Sequence, residues 1–203
     1  MIIMKNINKL NVLFCLFTSL FFAQEEVKNV DNKFLIGLHY ISNSSNNNVL
    51  SESYNGIAGL DAKYKFASSG IATFDAGMSF DYLDGNGGDN FGLTYNSMTV
   101  LNPNVGIELD VLKSGFRPFV NLGYAFVNYS YTIKFNSLTN FDPAFYNSNS
   151  ERKVKYNENG FTIQPGFRYH FKKLIYLETS YKYLPINTNV NLHFFNLGLG
   201  IKL

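Results

Sequence analysis

The chain closes on NVNLHFFNLGLGIKL, residues Asn189–Leu203. Every second residue of its last part is apolar: Phe195, Leu197, Leu199, Ile201 and Leu203 share one face. Asn196, Gly198, Gly200 and Lys202 share the other. A period of two belongs to a β-strand with one apolar and one polar side.

The same alternation recurs upstream. Apolar faces run through Phe34–Tyr40, Ala58–Phe66, Ala72–Tyr82, Leu101–Val111, Pro118–Phe126, Phe161–Phe171 and Ile175–Tyr183, which with the closing segment predicts eight strands. The connections alternate in length. Ser42–Ser53, Asp84–Asn96 and Asn136–Glu158 are long and polar, whereas Ala67–Gly70, Lys113–Gly115 and Lys172–Lys173 are tight, and Pro185–Asn189 is intermediate. Long loops confined to one end have no rationale in a soluble meander. They are expected of a transmembrane barrel, with short periplasmic turns and longer outer loops. Hydrocarbon cannot satisfy a free sheet edge, so such a sheet must close on itself. The expected fold is therefore all-β: an eight-stranded antiparallel up-and-down transmembrane β-barrel over residues 33–203, in the outer membrane of a Gram-negative bacterium. Pro103 lacks a ladder donor and is expected near the start of its strand or in a bulge. Beyond Val127 the alternation loses its phase, as in a bulge or a strand rising above the membrane.

Composition agrees with this. The 203 residues include 20 Phe, 14 Tyr and no Trp, and charged residues make up 16%, below the roughly 25% of soluble domains. A lipocalin-like or sandwich fold would turn the alternate residues to water and enrich them in Lys and Glu. They are instead mostly Gly, Ser, Thr and Asn, which suits a narrow lumen. Residues 1–23 hold Lys5, Lys9 and an apolar run from Leu10 to Phe22, the pattern of an export signal cut after Ala23. A short periplasmic segment, 24–32, would follow. Beyond the signal, 15 basic side chains balance 15 acidic ones, which leaves no electrostatic case for nucleic acid. Cys15 falls within the signal, so no disulfide or thiol chemistry is expected of the mature chain.

Two sets of residues are candidates for a role. Outward aromatics near the strand ends, Phe66, Phe74, Tyr169 and Phe171 toward the turns and Tyr40, Tyr82, Tyr181 and Tyr183 toward the loops, are expected to form two interfacial girdles. Inward charges at Lys63, Asp75, Glu108, Arg117, Arg168, Glu178 and Lys182 are expected to pair within the lumen. A turn centred on Lys173 sets Arg168 opposite Glu178 and Gln164 opposite Lys182. A turn centred near Ser69 sets Lys63 opposite Asp75. His39, His170 and His193 form no cluster with metal-ligand spacing, and no cofactor is expected.

On these patterns the chain resembles the small OmpA/OmpX-like outer-membrane barrels over about Lys33–Leu203, and PorT-like barrels share the strand patterning. The apolar alternation at Phe195, Leu197, Leu199, Ile201 and Leu203 resembles the closing strand that such barrels use as their assembly signal, which implies the barrel-assembly machinery as a partner. The resemblance also implies outer-membrane lipid and lipopolysaccharide as surroundings, and an extracellular protein or surface ligand held by the loops. Lipid A deacylases have a similar size and strand number but carry a His-x-Ser pair. Here Tyr40-Ile41, Phe171-Lys172 and Phe194-Phe195 follow the three histidines. The expected role is structural or interactive rather than enzymatic, with a narrow channel for ions or small solutes as the alternative and a lipid-modifying enzyme as a third.

Overall fold

The computed structural model describes residues 33–43, 53–86, 93–111, 115–134, 151–171, 174–187 and 190–203. The export signal, the 24–32 segment, the Lys172–Lys173 turn and most of the long loops lie outside the described residues. The eight strands are β1 (Phe34–Asn43), β2 (Tyr54–Ser69), β3 (Ala72–Gly85), β4 (Leu93–Leu109), β5 (Phe116–Lys134), β6 (Glu151–Phe171), β7 (Ile175–Asn187) and β8 (Val190–Lys202). Each pairs antiparallel with its sequence neighbour, and β8 returns to β1 to close the barrel. Closure is sealed at the chain end, where Phe34 N donates to Leu203 O at 2.9 Å and Leu203 N to Phe34 O at 2.8 Å.

Burial alternates as the sequence alternates: β1 reads exposed, buried, exposed, buried along most of its length. The apolar side chains face out. Phe195, Leu197, Leu199, Ile201 and Leu203 are all exposed, and so are Ile36, Leu60, Val105 and Leu122. This inverts the usual rule for soluble proteins and matches a barrel whose outer wall meets lipid.

Three expectations are corrected. The β2–β3 turn is the two-residue link Gly70-Ile71 between the paired Ser69 and Ala72, with Gly70 at φ 56°. A glycine adopts that left-handed conformation without a side-chain clash. Pro103 is neither at a strand start nor in a bulge. It lies well inside β4 opposite Met78, and the ladder toward β5 is interrupted between Leu101↔Phe126 and Asn104↔Gly123, where proline has no N–H to give. Finally, Glu151–Glu158 is strand rather than loop. β5 and β6 pair residue for residue from Phe116↔Tyr169 to Lys134↔Glu151 without a register shift. The phase is lost toward the end of β5, where Tyr131, Thr132 and Ile133 are all half-buried rather than alternating.

Candidate functional site: the lumen and the outer mouth

The lumen has two storeys. Toward the short turns it is an ion-paired network centred on Glu108 of β4. Arg117 Nη1 lies 3.1 Å and Lys65 Nζ 3.4 Å from Glu108 Oε1, and Arg168 reaches Oε2 by a short contact. Arg168 also bonds Glu178 Oε2, through Nη2 at 2.6 Å and Nε at 3.0 Å. Its guanidinium carbon sits 4.8 Å from the Phe119 ring and 5.0 Å from the Tyr176 ring. Register explains the pairing, since Arg168 on β6 stands directly opposite Glu178 on β7. Charge-assisted bonds of this kind are strong because little water competes for them. Tyr176 fits because Gly37 and Gly200 offer no side chain where its ring lies; a Cβ on Gly37 would come 2.7 Å from the Tyr176 hydroxyl.

A second network lies higher. His39 Nδ1 is 2.7 Å from Asp61 Oδ2 and Nε2 is 2.9 Å from Asp81 Oδ1, while Lys182 Nζ is 2.6 Å from Asp81 Oδ2. A carboxylate only accepts, so both ring nitrogens of His39 must carry hydrogen for both contacts to attract. Lys182 also donates to Ser79 at 3.0 Å. Gln164 lies in register with Lys182, between Ile163↔Tyr183 and Gly166↔Ser180, and its side chain donates to Ser180 at 2.8 Å.

Lys63 and Asp75 are not brought together as a pair. The tighter Gly70-Ile71 turn and a bulge between Lys65 and Ala67 set Lys65 opposite Asp75 and Lys63 opposite Gly77. Lys63 Nζ lies 5.0 Å over the Phe119 ring. Asp75 stands beside Gly106, where an added Cβ would come 2.6 Å from its Oδ1.

Above these networks the lumen turns apolar. Ile41, Leu83, Met98, Val100, Val127 and Phe194 belong to a buried cluster that also takes in Tyr54, Ala125, Leu184 and Leu192. All face inward, and together they plug the outer half of the tube. The sequence reading missed this plug. Its signal was present: the inward position turns apolar near the loop end of strand after strand, at Ile41, Leu83, Val100, Val127 and Leu184. Beneath the plug, a cavity of about 10 Å³ beside His39 and Asp61 holds no more than about one water.

The mouth carries a tyrosine surface. Tyr129 and Tyr156 stack at 5.2 Å and 9°, Tyr131 and Tyr156 at 5.7 Å and 19°, and Tyr54 meets Tyr95 edge-on at 5.6 Å. The hydroxyls of Tyr131 and Tyr156 are 3.2 Å apart. That hydrogen bond, more than burial, pushes the Tyr131 phenol up to about 12. On the outer wall the sequence-chosen aromatics fall at two levels. Phe66 meets Phe74 at 6.5 Å and Tyr169 meets Phe171 at 4.6 Å at the turn end. At the loop end Tyr181 packs on Phe195 at 5.1 Å and Tyr183 on His193 at 5.0 Å, and Tyr40 and Tyr82 are exposed. Among the described residues no group of His, Cys, Asp and Glu is arranged to hold a metal ion.

The profile of the outer membrane protein beta-barrel domain family matches residues 13–202. The chain belongs to this family. Its place is the Gram-negative outer membrane. Among solved structures, the barrel is similar to Ail, the attachment invasion locus protein of Yersinia pestis, at 12% identity and TM-score 0.57, covering 86% of this chain and 100% of that one. It is also similar to Neisserial surface protein A, at 14% identity and TM-score 0.53, over 84% of this chain and 96% of that one. The N-terminal β-barrel domain of Pseudomonas aeruginosa OprF follows at 12% identity and TM-score 0.51, over 85% of this chain and 98% of that one. Ail has also been solved in complex with the heparin analogue sucrose octasulfate. At such identities these likenesses speak for the fold alone. No curated protein matches the chain.

Proposed function

We propose that this barrel is a surface-interaction protein of the outer membrane: its lumen is structural filling, and its working part is the β5–β6 hairpin with the loops beside it. One observation carries the reading. The lumen is filled twice over, by paired charges below and by the apolar plug above, while β5 and β6 continue to Lys134 and Glu151, with β4 beside β5 as far as Leu93↔Ile133, past the end of β7 at Asn187. An eight-stranded barrel has room for little more than its own side chains. A ribbon that outlasts the membrane needs a different purpose. Lipopolysaccharide would surround the outer girdle, and the barrel-assembly machinery would read the closing strand. The heparin analogue seen with Ail makes a sulfated glycan one natural first probe for the loops.

The test compares cells bearing the full-length protein with cells bearing a form lacking residues 131–154, on surfaces coated with heparin and with extracellular-matrix proteins. Attachment should fall with the hairpin while heat-modifiable gel mobility shows an intact barrel. Equal attachment of both forms on every surface would count against the proposal. Discrete conductance steps from the purified protein in a planar bilayer would replace it with a channel.

A further inference from the structure

The outer mouth gathers phenols that the surface-interaction reading leaves without a role. Tyr54, Tyr95, Tyr129, Tyr131 and Tyr156 form one chain of ring contacts across β2, β4, β5 and β6. Tyr54 lies 5.6 Å from Tyr95 and 6.4 Å from Tyr129, Tyr95 lies 6.0 Å from Tyr131, and Tyr156 stacks on both Tyr129 and Tyr131. Packing accounts for Tyr54, which is fully buried and donates to Ser130 O at 3.0 Å. It does not account for Tyr156, which is 38% exposed at the other end of the chain of rings.

An oxidant reaching this mouth meets little else. Thiols and thioethers are the usual first targets of oxidation. The sequence has no Trp, and its one cysteine, Cys15, precedes the strands. Met98 is buried in the plug and Met78 stands on the outer wall. The electron given up at the water-facing mouth is therefore a tyrosine's.

Two of these rings are placed to share the result. The hydroxyls of Tyr131 and Tyr156 touch at 3.2 Å, with the ring centroids 5.7 Å apart. The ortho carbons of a phenol adjoin the carbon that bears its oxygen, so touching hydroxyls set the ortho carbons of the two rings side by side. In the ladder Tyr129 stands opposite Tyr156 and Tyr131 opposite Val154, which makes Tyr131 the diagonal neighbour of Tyr156. Diagonal residues are about 7–8 Å apart, against about 4.5–5.5 Å for direct partners, so the diagonal pair has space to turn edge to edge. Tyr129 is held face to face with Tyr156, at 9° from parallel.

We propose that Tyr131 and Tyr156 are an oxidative cross-linking site, joined through their ortho carbons by a peroxide-fed haem peroxidase acting as a one-electron oxidant. Each phenol gives up one electron and one proton and becomes a phenoxyl radical, with unpaired spin on its ortho carbons. The two radicals form one carbon–carbon bond, and the hydrogen on each joined carbon moves to the phenol oxygen, restoring both rings. The pair loses two hydrogens in all, and one hydrogen peroxide takes them up and leaves as two waters. The bond staples β5 to β6 at the outer mouth, so a chain cut between the two residues stays in one piece. The inference goes beyond the surface-interaction reading and does not depend on what the hairpin binds.

The experiment uses the purified full-length barrel in detergent micelles, treated with a haem peroxidase and hydrogen peroxide, then unfolded and digested with trypsin. The expected product is the peptide ending at Lys134 joined to residues 156–168, lighter than their sum by two hydrogens and carrying bityrosyl fluorescence. Tyr156 is the only tyrosine of that second peptide, and fragmentation of the first separates Tyr131 from Tyr124 and Tyr129. Tyr131→Phe and Tyr156→Phe should each lose the product, whereas Tyr129→Phe should keep it; heat-modifiable mobility shows which variants fold. The peptide map of the unaltered protein decides the question even where a variant does not. A link through Tyr129, a link between two chains, or a treatment that couples free tyrosine yet leaves the barrel without a bityrosyl bond would overturn the proposal. Loss of attachment on deleting 131–154 bears on the broader reading alone, so the two can fail separately.

Discussion

Arg168→Met is the perturbation that most directly tests how the lumen holds. Arg168 is wholly buried and joins two carboxylates, Glu108 and Glu178. After its removal Glu108 keeps Arg117 at 3.1 Å and Lys65 at 3.4 Å, whereas Glu178 keeps no ion pair among the described residues. Breaking a buried pair from one side costs about 3–5 kcal/mol, because the remaining charge is left without compensation. The loss should therefore lie near ~3–5 kcal/mol. With no Trp in the chain, urea titrations in lipid vesicles are best read by the folded and unfolded bands on unheated gels. Adding Glu178→Gln should restore most of the stability. A loss below about 1 kcal/mol would refute the claim that this pair is shielded from water.

Other expectations follow from the same geometry. Phe194→Ala, in the plug, should cost about 3–5 kcal/mol in the same titration without producing bilayer conductance, because the ion-paired storey beneath still fills the tube. On the outer wall, Leu199→Arg should cost about 2–4 kcal/mol in lipid vesicles, whereas Ser69→Arg at the turn should cost almost nothing. His39→Ala should destabilise the fold by taking from Asp61 its ion pair and leaving Asp81 only that with Lys182, and Asp61→Asn added to it should recover part of the loss. Tyr156→Phe removes the hydroxyl that raises Tyr131, so one phenol should move from about 12 toward the ordinary range near 10 in an ultraviolet difference titration.

Much of the fold was legible because a barrel wall is a local code. Each strand announces its two faces every second residue, and the outward set from Ile36 to Leu203 needs no knowledge of any partner strand to be read. Turn-centred arithmetic also held where the turn was read at its true centre, as for Arg168 and Glu178 about Lys173. It failed for Lys63 and Asp75, because a two-residue turn and a one-residue bulge are set by backbone geometry at Gly70 and Phe66, not by the faces of the strands. The membership of the two lumen networks was hidden for another reason. His39, Asp81 and Lys182 come from β1, β3 and β7 and meet across the tube, so no hairpin arithmetic brings them together.

The sequence by itself determined the strand number, the closure, the membrane and which residue of each pair faces lipid, because alternation is a property of a strand alone. The tertiary structure decided that the outer half of the lumen is sealed by hydrocarbon, which charge stands against which across the tube, and that β6 outruns β7. Those outcomes depend on how far each strand is staggered against the next, and stagger exists only once the sheet has closed.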